Sequence, residues 1–138
     1  MKKMLGAALS VAMTMTALPS LAQTVCSNAN MAGIWFGGDS LSSCRMTVQA
    51  NGRFAARCRA EVDSDFEEFI WRGAANMQSD CRFRVAARIE NEPRIIRFIG
   101  RAWGGGQANE TRPVAFSIAT SPLDTSAFPQ TLSFFRTN

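Results

Sequence analysis

The residues of this sequence with chemistry to offer are an acidic run, four cysteines and a set of arginines, while histidine and tyrosine are absent altogether. Acid–base catalysis near neutral pH most often relies on histidine, so its absence removes the common serine, cysteine and zinc mechanisms together. The expectation is a binding protein, not an enzyme. The acidic run, Glu61, Asp63, Asp65, Glu67 and Glu68, has the residue types of a glycosidase carboxylate pair or of hard oxygen ligands for calcium. It lacks the glycine and the terminal glutamate of an EF-hand loop and reads as a solvated hairpin tip. No metal or cofactor is expected.

Cys26, Cys44, Cys58 and Cys81 are an even number whose spacings do not form a zinc pattern. In an exported chain they predict two disulfides. Export itself is indicated by Lys2 and Lys3, the apolar run Met4 to Leu18 and the small residues of Ser20-Leu21-Ala22, the three parts of a secretory signal. The expected cut follows Ala22, leaving residues 23–138 as one domain in the periplasm or medium. The apolar run is shorter than the roughly 20 residues that span a bilayer, so a membrane-spanning chain is not expected.

Lys2 and Lys3 are the only lysines, so past the signal 13 arginines face 11 acidic residues. Period-two alternation sets Arg82, Arg84 and Arg88 on the outer face of one strand and Arg97 and Arg101 on that of the next. The turn at Asn91 pairs these strands, which makes a basic outer patch. Guanidinium forks suit carboxylate or phosphate, so an anionic lipid, an acidic glycan or an acidic protein is a fitting partner. The plainer alternative is a solvated face balanced by Glu90, Glu92 and Glu110. A nucleic acid is not expected, because the net charge is small and no stacking motif accompanies the patch. Asn109-Glu110-Thr111 matches a glycosylation acceptor and, in a bacterial export context, reads as loop.

Alternation recurs almost to the last residue, and no stretch carries a helical stripe of useful length. The predicted strands are Ala32 to Gly37, Ser43 to Gln49, Arg53 to Val62, Glu68 to Asn76, Asp80 to Ile89, Arg94 to Gly104, Pro113 to Thr120 and Thr131 to Arg136. Short polar joins at Asn51-Gly52 and Asn91-Glu92-Pro93 favour consecutive hairpins. The fold class is therefore all-β, an eight-stranded antiparallel up-and-down barrel whose closure hides its edges. Tryptophan-containing echoes at Trp35, Trp71 and Trp103 suggest a β-trefoil as the alternative, but its twelve strands leave too little chain for each.

Parity then constrains the cysteines. Cys44, Met46 and Val48 share one face of the second strand, and Phe54, Ala56 and Cys58 share one face of the third. Both apolar sets must point inward, and only a three-residue turn at Ala50-Asn51-Gly52 makes them agree. That turn sets Cys44 opposite Cys58, and strand direction leaves Cys26 and Cys81 together at the other end. The inward set is Met46, Val48, Phe54, Phe69, Trp71, Phe83, Val85, Ile96, Phe98, Phe116 and Ile118.

Gly33-Ile34-Trp35 opening the first strand, with Arg136 near the end of the last, resembles the calycin arrangement. Calycins include lipocalins, avidins and a family of small bacterial periplasmic metalloprotease inhibitors. The resemblance implies that Trp35 packs at the closed end of the barrel, with Arg136 lying across it in a cation–π contact. Lipocalins are usually longer and enclose a cavity, whereas the large inward side chains here suit the packed inhibitor branch. That branch inserts an N-terminal tail into its protease, and only Gln23, Thr24 and Val25 precede Cys26 here. The functional expectation is an exported inhibitor of a hydrolase such as a protease, acting through loops at one barrel end. A carrier of a small apolar ligand and an envelope protein that grips an anionic surface through its arginines are the alternatives.

Overall fold

The computed structural model describes residues 23–104, 111–122 and 130–137. The signal at 1–22, the acceptor residues Asn109 and Glu110, and most of the loop from Pro122 to Pro129 lie outside the described residues.

Eight strands follow a single helical turn: α1 Asn28–Met31, β1 Gly33–Gly38, β2 Ser42–Val48, β3 Arg53–Val62, β4 Asp65–Met77, β5 Arg82–Ile89, β6 Ile96–Trp103, β7 Ala115–Thr120 and β8 Thr131–Arg136. Each strand pairs antiparallel with its sequence neighbour, and β8 returns to β1 to close the barrel. This is an all-β, up-and-down barrel and not a trefoil. Closure removes the exposed ladder edges that an open sheet of this length would present.

Local chemistry explains the joins. The Gln49 N–H donates to the Arg53 carbonyl at 2.8 Å, so Ala50, Asn51 and Gly52 form a three-residue turn. Gly52 takes φ +85° there, a conformation that favours glycine. Between β3 and β4 the turn is only Asp63 and Ser64, both at positive φ, and β4 begins three residues earlier than alternation suggested. The acidic run is thus mostly strand. Cys81, expected to lie within the fifth strand, sits in the turn before it at φ +67°.

Inside, the aromatic side chains form two groups. Phe116 is central to the first, with Trp35 edge-on at 4.9 Å, Phe134 stacked at 4.8 Å and Phe83 edge-on at 5.6 Å. In the second, Trp71 meets Phe69 and Phe98 edge-on. Met46, Val48, Ala56, Val85, Ile96, Ile118 and Leu132 fill the space around them. The interior space that remains is about 50 Å³ and is lined almost wholly by apolar atoms.

Candidate functional site

One rim of the barrel is a structural clamp. Trp35 is fully buried, its indole N–H donates to the Met31 carbonyl at 2.9 Å, and the Arg136 guanidinium lies 4.5 Å from its ring. Arg136 also donates to the carbonyls of Pro113 at 2.9 Å, Ala32 at 2.7 Å and Asn30. Gly33 lets it do so, since a β-carbon there would stand 2.9 Å from a guanidinium nitrogen and its φ is +141°. Gly33, Trp35 and Arg136 therefore meet in one place and hold the chain's two ends together. α1 covers this rim, capped by Ser27 and tied to β4 by the Asn28 side chain, which accepts from the Met77 N–H at 2.9 Å.

The structure joins Cys26 to Cys81 and Cys44 to Cys58, and leaves no free cysteine among the described residues. The first bridge staples the N-terminal segment to the clamp rim, while the second spans β2 and β3 inside the wall. Two disulfides suit an oxidising, non-cytoplasmic compartment.

The opposite rim carries a projecting hairpin. β3 and β4 continue past their neighbours, because β2 pairs with β3 only as far as Ala60 and β5 pairs with β4 only from Trp71. Beyond them the residues from Asp65 to Phe69 have β3 on one side and no described strand on the other. This projecting hairpin exposes Val62 and Phe66, with Leu41 of the β1–β2 turn beside them through the Glu61 N–H to Leu41 carbonyl bond. Arg59 lies 4.3 Å from the Phe66 ring. The carboxylates do not converge: Glu61 and Glu68 are on the outer face of the hairpin, and Asp65 and Glu67 are on the other. A calcium cage needs more than two such oxygen donors together. Among the described residues no group of histidine, cysteine or acidic side chains is placed to hold a metal.

Asp39 fixes the adjoining β1–β2 turn. Its carboxylate accepts from the Leu41 N–H at 2.9 Å and from the Ser42 N–H and hydroxyl at 2.7 and 2.8 Å. Burial works against its charge, but these bonds outweigh burial and hold its pKa below the ordinary 3.8. Its stabilising contribution is present above that ordinary value and is lost as pH falls through the lower folded one. Thermal melts of Asp39→Asn and the unaltered protein should therefore differ at about pH 6 and converge towards about pH 2. An equal gap at both ends of the scale would show that charge on Asp39 is irrelevant.

The outer wall carries the arginines. Arg82, Arg84 and Arg88 on β5 and Arg97 and Arg101 on β6 are all exposed. They are part of a wider basic flank, with Arg45 on β2, Arg53, Arg57 and Arg59 on β3 and Arg72 on β4. Only register across β3, β4 and β5 joins these sets, which is why alternation within single strands did not find them. The remaining flank is different in kind: Trp103, Phe135 and Phe36 stand exposed along one row, with Ala115 buried between Trp103 and Phe135.

No protein family model matches the chain, and no curated protein or solved structure matches it. The barrel topology is the one that the calycin resemblance implies. No helix among the described residues is long and apolar enough to cross a membrane.

Proposed function

We propose that this protein is an exported binder that inhibits a hydrolase, with a protease the favoured target, by presenting the β3–β4 hairpin to it. The observation that carries this reading is the projection of that hairpin beyond the barrel wall with Phe66, Val62 and Leu41 exposed at its base and tip. Protease clefts take extended backbone, and strand addition along an open edge supplies main-chain hydrogen bonds that do not depend on sequence. A hairpin already paired in strand conformation loses less conformational entropy on docking than an unstructured segment does, which favours association. On the outer face of the hairpin Phe66 stands exposed among Arg59, Glu61 and Glu68, and an aromatic anchor among charges matches the make-up of protein-binding patches.

The carrier alternative fits less well. Pockets for small molecules usually enclose about 300–1,000 Å³, against about 50 Å³ of void in this barrel. A barrel embedded in lipid by its strands fits poorly too, since an outward arginine at the bilayer midplane costs about 2–4 kcal/mol and the outer wall carries many of them.

The test is capture by the mature, oxidised protein from its own envelope and culture medium, followed by inhibition assays on any hydrolase retained. Phe66→Ala should weaken that inhibition about tenfold or more, as loss of a central anchor does, while circular dichroism stays unchanged. Retention of lipid or small molecules alone, or full inhibition by Phe66→Ala, would remove the proposal.

A further inference from the structure

The arginine flank has an internal order that solvation alone does not explain. Three of its cross-strand partners are arginine against arginine: Arg45 with Arg57, Arg72 with Arg88, and Arg82 with Arg101. Like charges directly opposite each other on one sheet face are destabilising. In the middle of this flank the register aligns Arg53, Ala74, Ala86 and Arg97 across four strands. One row to one side stand Arg72 and Arg88, and one row to the other stand Asn76 and Arg84. The two alanines thus form a floor bounded by long cationic side chains. Strand spacing sets Arg53 and Arg97 about 14 Å apart and Arg72 and Arg88 about 5 Å apart. A groove of about 640 Å³ opens over this floor, with Arg53, Arg72, Arg88, Ala74 and Ala86 in its lining.

Glu90 bonds Arg72 at 3.0 Å, and no ion pair engages Arg53, Arg84 or Arg88 among the described residues. Positive charge is therefore left over around a floor too small to fill the space above it. We infer that this basin is a binding site for a compact ligand bearing two or more phosphate groups. A carboxylate has two oxygens and is used up by one guanidinium fork, whereas a phosphate offers three terminal oxygens and accepts forks from several arginines at once. Several arginines around one small-residue floor suit the second. The site lies on the barrel wall and does not depend on the hairpin reading; a hairpin that binds nothing leaves it standing.

Calorimetric titration of the mature, oxidised protein with inorganic tripolyphosphate and with orthophosphate, in about 50 mM salt, tests it. Tripolyphosphate should bind saturably and more tightly than orthophosphate. The pair Arg53→Gln with Arg88→Gln should weaken it about tenfold or more, while Arg45→Gln with Arg59→Gln, outside the basin, changes it less than about threefold. Without ligand, Arg88→Gln should keep or raise the melting temperature, since it relieves a like-charge pair. Vesicles with about one lipid in five carrying a bisphosphorylated head group distinguish the source of the phosphates. Vesicle binding lost in the basin variant assigns a lipid head group, and tripolyphosphate binding without vesicle binding assigns a soluble ligand. Equal losses in both variant pairs would reduce the site to diffuse charge, and no saturable binding to either probe would overturn it.

Discussion

Trp35→Ala is expected to destabilise the barrel by about 3–5 kcal/mol, the range for removing a buried aromatic side chain. Trp35 is the largest of the fully buried side chains, and its edge contact with Phe116 at 4.9 Å begins the aromatic group that fills this half of the interior. The truncation also strips Arg136 of the ring beneath it and orphans the Met31 carbonyl. Trp35→Phe keeps most of the apolar volume but loses the indole N–H, so it should cost about 1–3 kcal/mol. Arg136→Lys probes the same clamp from above. An ammonium is a point donor on a flexible stem and lacks the planar fork that reaches the carbonyls of Pro113, Ala32 and Asn30 together. Denaturant midpoints at constant m would measure all three variants. A cost under about 1 kcal/mol for Trp35→Ala would mean that this rim collapses around the cavity and that the clamp does not hold the fold.

Removing the Cys26–Cys81 bridge has the next largest expected effect. With a sequence separation of 55 between its cysteines, loop-closure entropy in the unfolded chain gives it about 4 kcal/mol of stabilisation. The bridge also acts locally. It holds the segment leading into α1, and α1 with its following residue supplies the Asn30 and Ala32 carbonyls that Arg136 binds. Cys26→Ala with Cys81→Ala should thus cost about 4 kcal/mol and should not add simply to Trp35→Ala, because both loosen one network. Equilibrium unfolding of the single set, the other set and their combination measures that coupling. Additivity within about 0.5 kcal/mol would show that bridge and clamp act independently.

The barrel was open to reading because its strands repeat one period and its core residues are large. β3 and β8 span the residues that alternation marks out, Arg53–Val62 and Thr131–Arg136. β4 was harder. Asp65, Glu67 and Glu68 are poor strand formers, and the turn before them uses Asp63 and Ser64 at positive φ where the usual signal is asparagine or glycine. Pairing with β3 overrides both, and the projecting hairpin follows from that override. α1 has four residues, too few to show a 3.6-residue period, and its only cue is Ser27 as a cap. The basin was hidden for another reason. Arg53 and Arg72 belong to strands whose outer faces also carry alanine, and no local pattern reveals that these rows align with Arg88 and Arg97 across three interfaces.

The clamp has a geometric corollary. β1 starts and β8 finishes at the α1 rim, whereas the tip formed by Asp63 and Ser64 lies at the far rim. Anything attached through the tail after Thr137 or the segment before Cys26, whether a fusion partner, a tether or a solid support, would stand the molecule upright with its finger pointing away from the anchor. Immobilised by either terminus, the protein would keep its reaching surface in free solution.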